Sequence, residues 1–218
     1  MDGSSKTRNA IAARKPDHAW PDTYQMLSRA LEMQGRLREA LVEMRNVFYG
    51  GATGLENSPA AWLEYGKLSE KLKHTDEAML AYRNAAIATR NTNYDFSRLL
   101  TGKESFRELK ALAYGAVGSR QEFSPDGQAL IIESIQLNDS IGLTHLIRGQ
   151  YLRRKDPEQA IQEINKAIKF GDSLVKENAN LLKGTIWIPS DKVKETLRLI
   201  KEGVNPPAPD KNENGVRR

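Results

Sequence analysis

Three histidines, a glycine-rich run and 28 acidic residues are the groups in this sequence that could carry chemistry. His18, His74 and His145 could ligate a metal or move a proton, but they stand far apart and no carboxylate pairs with them at ligand spacing. GGATG at 50–54 has the composition of a phosphate-cradling loop. No Gly-Lys-Ser/Thr follows it and no strand pattern precedes it, so it is expected to be an inter-helix turn. The acidic residues fall on the polar side of amphipathic patterns, and no Gly-x-Ser-x-Gly nucleophile elbow occurs. With no cysteine there is no thiolate nucleophile, no disulfide and no cysteine metal site. The expectation is a protein that is not an enzyme and holds neither cofactor nor metal, so its function has to be sought in binding.

The elements that would position such a binding surface are helices. Of the 218 residues, 39% are hydrophobic but only 7% aromatic, and Ala, Leu, Glu, Lys and Arg dominate. This favours an all-α fold packed through small and aliphatic side chains. Lys and Arg number 33 against 28 Asp and Glu, a net +5, with the two signs interspersed. A nucleic-acid binder would gather its basic residues into a stripe with aromatics between them, so no nucleic acid is expected as a partner. No run approaches the roughly 18 apolar residues of a membrane helix, and MDGSSKTRNAIAARKPDHAW lacks the apolar centre of a signal peptide. Direct membrane insertion is therefore not expected. The chain as written suits the cytoplasm, or the periplasm if an anchor or signal has been removed, because a cysteine-free chain fits both.

Residues 1–19 and 204–218 are polar, charged and without periodicity, and are expected to be flexible tails flanking a helical domain over 20–203. Within that domain the pattern repeats. Trp62, Tyr65 and Gly66 share one helix face; after a polar break, Ala78, Tyr82 and Ala85 share a face of the next. Trp62 can fill the space between two helices only where Gly66, Ala78 and Ala85 let the backbones approach. The same skeleton recurs in Tyr24, Leu27, Leu31, Gly35, Ala40, Met44 and Val47, and in Ile147, Tyr151, Ala160, Ile164 and Ala167. Its faintest copy has Ala111, Tyr114 and Gly115 before Gly127, Ile131 and Ser134. The pairs predicted are about 21–54, 59–92, 108–140 and 141–173. Insertions separate them at 49–58 and 91–105, the latter long enough for a helical turn around Phe96 to Leu100. Further helices over 174–203 are expected to cap the array, one begun by Asp172 or Ser173 and one carrying Val193, Leu197 and Ile200 on a face. Trp187, in the link between them, is expected either to pack under the last helix, the favoured reading, or to stand exposed as an anchor for a partner.

This unit resembles the tetratricopeptide repeat (TPR), W-x2-L-G-x2-Y followed by A-x3-F-x2-A, with Tyr65, Ser69 and Arg90 where the family has Leu, Tyr and Pro. The resemblance implies a right-handed solenoid of helix-turn-helix pairs whose concave groove, lined by first helices, binds another polypeptide. Carried over, the groove positions are Gln25, Arg29 and Glu32; Leu63, Lys67 and Glu70; Leu112, Ala116 and Arg120; and His145, Gly149 and Leu152. Arg29, Lys67 and Arg120 would then capture a partner with acidic or carboxylate character. An imperfectly capped end could also pair with itself to give a homo-oligomer.

From about Asp76 to Lys201 the order EAMLAYRNAA, SPDGQALIIESIQLND, LIRGQYLRRKDPEQAIQEINKAI is similar to the repeat domain of bacterial cytochrome c biogenesis factors. Leu137, Asn138 and Asp139 stand where that family has Leu-Asp-Pro. The resemblance implies an assembly factor that holds apocytochrome c for haem lyase, with Arg120, His145 and Leu152 in the groove. The alternative is a scaffold or assembly chaperone within a larger multi-protein complex, with partners beyond the groove.

Overall fold

A computed structural model of the chain describes residues 21–49 and 57–203. The two expected tails and the GGATG turn lie outside the described residues. What is described is all-α, with no strand: ten helices and one short 3-10 turn. They are α1 (Pro21–Met33), α2 (Leu37–Tyr49), α3 (Pro59–Lys71), α4 (Thr75–Ile87), α5 (Phe106–Arg120), α6 (Pro125–Leu137), α7 (Gly142–Leu152), α8 (Pro157–Phe170), α9 (Ser173–Gly184) and α10 (Asp191–Lys201), with the 3-10 turn at Phe96–Leu99.

The helix starts follow from local sequence. Ser58-Pro59, Ser124-Pro125 and Asp156-Pro157 each supply a side-chain acceptor for an N–H two residues beyond the proline, while the proline sits where no intrahelical donor is needed. Ser105 and Glu108 close a reciprocal capping box on α5. Consecutive helices pair as hairpins, α1 with α2, α3 with α4, α5 with α6 and α7 with α8, and the first helices also touch in sequence, α3 on α5, α5 on α7 and α7 on α9. The result is a row of hairpins with a continuous wall of first helices.

Two buried clusters fill the row. One joins the first two hairpins and ends on Leu109, Ala113, Tyr114 and Val117 of α5. The other begins on Ala111, Leu112 and Ala116 of the same helix and runs to Val175 and Ala179 of α9. Helix α5 is therefore buried on both sides, which its alanine and glycine content permits. Trp62, Tyr65 and Tyr82 are core residues, with Trp62 stacked on Phe48 at 3.6 Å between ring centroids.

Glycines mark where helices approach most closely. A Cβ on Gly66 would lie 2.4 Å from the Tyr82 ring, one on Gly118 2.9 Å from Ile131, and one on Gly149 2.7 Å from Ile164. Each is the seat in a first helix for a large residue of its own second helix. In the third hairpin that seat is Gly118, three residues after the expected Gly115. Gly115 instead receives Phe96 of the 91–105 insertion at 2.5 Å.

The end of the row also differs from expectation. Helix α9, begun by Asp172, packs on α8 and α7. Helix α10 leaves Val193, Leu197 and Ile200 exposed and reaches α8 through the Lys194–Glu158 ion pair. Its Arg198 is satisfied within the helix by Glu195 and Glu202. Helix α10 therefore stands beside the end of the row without covering it. Trp187 is 65% exposed, because its neighbour Ile186 takes the packing position against the second cluster.

Candidate functional site

The insertion at 91–105 builds the site. Phe96 is fully buried under α5, and its N–H donates to the Thr89 hydroxyl at 2.9 Å. Asp95 caps the 3-10 turn by accepting from the Ser97 N–H at 3.0 Å. Three further contacts pin the segment. Glu104 accepts from the backbone of Gly102 and pairs with Arg83 of α4 at 2.8 Å. The Tyr94 hydroxyl sits between the Glu122 carboxylate at 2.5 Å and the Gln150 amide at 3.0 Å. Arg98 pairs with Asp172 at the start of α9, 3.1 Å away. Burial first, and then the Glu122 carboxylate, push the Tyr94 phenol well above its ordinary value, so it stays a neutral donor.

Held this way, the insertion lies against the wall of first helices and encloses a cavity of about 520 Å³ with α7 and α9. Leu99, Leu143, Leu146, Leu181 and Leu182 give it apolar sides; Asn93, Gln150, Asn178 and Arg153 bring polar groups to it. Its volume is that of a ligand pocket, and its lining joins a leucine wall to a polar rim that includes Asp95, Arg98, Arg153 and Asp172. A second cavity of about 250 Å³ lies on the other side of Leu99 and includes Leu112, Ile141 and Phe170.

None of the twelve residues expected in the groove lines the larger cavity. Leu63, Leu112, His145 and Leu152 are buried core side chains, and of the four only Leu112 reaches either of these cavities, the smaller one. On α7 the cause is a slip of one residue. Gly149 seats Ile164, and His145 and Leu152, four before and three after it, share that stripe facing α8. The outward stripe is Leu146, Gln150 and Arg153, and all three line the cavity. On α5 the slip is three residues: Leu112 and Ala116 lie in the second cluster, and the insertion is seated at Gly115.

The expected residues on α1 and α3 do lie on the wall of first helices, but they bind one another. Gln25 and Arg29 both donate to Glu64, Gln25 at 2.7 Å. Glu32 pairs with Lys71. Lys67 rests over the Tyr114 ring, 4.6 Å from its centroid. Glu70 accepts from Lys110 at 2.8 Å and from the Tyr82 hydroxyl at 2.5 Å. Desolvation tends to raise the Glu70 carboxyl, yet Lys110 and Tyr82 together hold it below its ordinary value. These contacts register successive helices and leave little of the expected capture charge unspent. Arg120 donates to the Ala88 carbonyl at 3.3 Å.

The fold also supplies His145 with acceptors that spacing did not reveal. Its Nδ1 lies 2.6 Å from Glu163 of α8, and its Nε2 lies 2.9 Å from the Asp139 carbonyl. The ring is wholly buried, so the contacts tie α7 to α8 and to the link before it. His74 lies 3.1 Å from Glu77 at the surface, and His18 lies outside the described residues. Among the described residues no cluster of His, Asp and Glu is placed to hold a metal ion, and no helix is long and apolar enough to cross a membrane. Comparison with protein-family models and with curated proteins finds no match to this chain.

Proposed function

We propose that the chain is a non-catalytic protein-binding module of tetratricopeptide type, a right-handed row of hairpins that takes a partner polypeptide along its wall of first helices. One observation carries the reading: the large cavity opens on that wall, between α7, α9 and the insertion, where the edge of the second core cluster meets polar side chains. The repeated seating of a second-helix residue on a first-helix glycine supports the tetratricopeptide assignment. An assembly factor for c-type cytochrome maturation is the finer form of this reading, supported by the order of motifs from Asp76 to Lys201. The scaffold alternative is favoured by a separate feature, the exposed Trp187, Leu197 and Ile200 away from the cavity.

The test is capture from the native host with the purified full chain, followed by mass spectrometry. Recovery of apocytochromes or haem-lyase subunits would support maturation, and a fixed set of structural subunits would support the scaffold. Failure to retain any polypeptide would remove the module reading. A companion variant, R29A/K67A/R120A, should bind nearly as the parent does, since two of the three cations are engaged by Glu64 and Tyr114.

A further inference from the structure

The cavity does not end at Arg153. A shallower depression of about 250 Å³ shares Gln150 and Arg153 with it and continues over Tyr151, Arg154, Lys155 and Phe123. Its cations gather without carboxylate partners among the described residues, whereas others along the wall and beside the insertion are paired. Arg29, Arg45, Lys71, Arg83, Arg98 and Lys110 all have carboxylate partners. Arg153 and Arg154 have no carboxylate partner among the described residues. Lys155 stands 3.9 Å from the centroid of the Tyr151 ring and donates to its hydroxyl at 2.7 Å, and Arg148 lies 5.5 Å from the same ring. Asp95 and Asp172 line the cavity and Glu122 flanks it, and all three are committed: Asp95 to the 3-10 turn, Asp172 to Arg98 and the α9 cap, and Glu122 to Tyr94. Beside this basic group Phe123 is exposed.

We propose that the leucine-walled cavity and the Arg153–Lys155 surface form one groove that takes an acidic peptide segment, an apolar side chain of the peptide seated in the cavity and its carboxylates on Arg153, Arg154 and Lys155. The proposal rests on the protein-binding reading and adds the chemistry of the partner. Apolar sides bury an aliphatic or aromatic anchor, while unspent guanidinium groups favour carboxylates through charge-assisted hydrogen bonds. The sign of the patch excludes basic segments, which gives discrimination in addition to attraction.

The experiment uses fluorescence anisotropy with the full chain and three labelled peptides. One carries leucines followed by consecutive glutamates; the second has lysines for the glutamates; the third has serines for the leucines. The first should bind, with affinity falling as salt is raised, and the other two should bind far more weakly. R154E/K155E and, separately, L181E should each weaken the first peptide by roughly tenfold. All three positions are exposed, and unchanged helical circular dichroism would confirm that the fold is kept. Equal binding of the lysine peptide, or parent-like binding by both variants, would overturn the proposal. So would displacement of the acidic peptide by oligouridylate at lower concentration, which would assign the patch to phosphates.

A photocrosslinker placed in turn at Phe123, Leu181 and the remote exposed Leu80 of α4 separates the two readings in host extract. Partner crosslinks at Phe123 and Leu181 support the groove. Crosslinks at Leu80 alone would sink the groove and leave the module, and none at any position would sink both.

Discussion

Tyr65-Gly66 and Tyr114-Gly115 are the same dipeptide in the first helices of two hairpins, and the fold uses them differently. Gly66 admits the Tyr82 ring from its own second helix, and the Tyr82 hydroxyl is bonded to Glu70 back on the first. Gly115 admits Phe96, which comes from the insertion, while the hairpin itself closes three residues later on Gly118 and Ile131. A glycine in a helix creates a vacancy, and what fills it depends on which segment the chain can bring there. In the second hairpin the filler is part of a regular helix. In the third it is a loop, and seating that loop makes one wall of the cavity.

Removing the fillers should give the largest effects. Y82A deletes a fully buried ring and leaves Glu70 short of a donor, so about 4 kcal/mol of stability should be lost in denaturant titrations. F96A deletes an equally buried ring, but from an insertion that can relax, so about 3 kcal/mol is expected. F96A should also expose 91–105 to protease under native conditions and abolish binding at the cavity, and Y82A should do neither until the chain unfolds. Comparable protease sensitivity at 91–105 in both variants would erase the distinction.

Blocking the vacancies comes next. G66A drives a Cβ into a ring held between two helices and should lose about 2–3 kcal/mol, while G115A meets a ring the insertion can withdraw and should lose about 1–2 kcal/mol. In a double-mutant cycle G115A should be nearly harmless in the F96A background, since its clash is with Phe96 and, at 3.0 Å, with the Thr144 methyl. A persistent large loss there would mean that Gly115 is required for α5 against α7, independent of the insertion.

This contrast also explains what could be read in advance. The hairpins were legible because Trp62, Gly66, Ala78 and Tyr82 repeat at helical spacing, and the helix starts because Ser and Asp precede Pro. The phase of α5 and α7 was not. Helical spacing is satisfied by more than one stripe on a helix with small residues all round, and only contact with the partner helix shows whether Gly115 or Gly118 is the seat. Once the phase slipped by one on α7, buried His145 and Leu152 stood in for Leu146 and Arg153. The insertion was recognised as a turn near Phe96, yet its role as a wall depends on Tyr94–Gln150, Arg98–Asp172 and Arg83–Glu104, which are long-range pairs without a local signature.

Comparable in size to the Gly115 seat is the polar tie of the second hairpin. Arg45 of α2 forks onto Glu77 of α4 at 2.7 and 2.9 Å, and the Tyr65 hydroxyl of α3 donates to the same carboxylate. Arg45, followed by Tyr65 and His74, holds the Glu77 carboxyl down to about 2 from its ordinary 4.5. Since the folded value lies below the unfolded one, the contribution is complete above pH 4.5 and is lost as pH falls toward 2. E77Q should lose about 1–2 kcal/mol at neutral pH and flatten the acid limb of the stability curve over that window. In the insertion, burial tends to raise the Glu104 carboxyl, yet the Thr101 and Gly102 N–H groups hold it below its ordinary value, so R83A, which removes neither donor, should leave the acid limb largely as it is. An equal flattening in R83A would show that the insertion shares the acid sensitivity.

The smallest effect isolates backbone from contact. Gly35 in the α1–α2 turn has φ +74° and Gly102 in the insertion has φ +87°, and in neither place would an added Cβ meet another atom within 4 Å. With no clash available, G35A and G102A should each lose only the left-handed backbone penalty, about 1 kcal/mol, partly offset by the stiffer unfolded chain. Equal losses would mean that the hairpin turn and the insertion differ through their seated side chains, Tyr82 and Phe96, and not through backbone strain. A markedly smaller loss for G102A would mean that the turn at the edge of the insertion can abandon its φ while Phe96 stays in place. The wall of the cavity would then move independently of its anchor, and the F96A and G115A effects would report on the anchor alone.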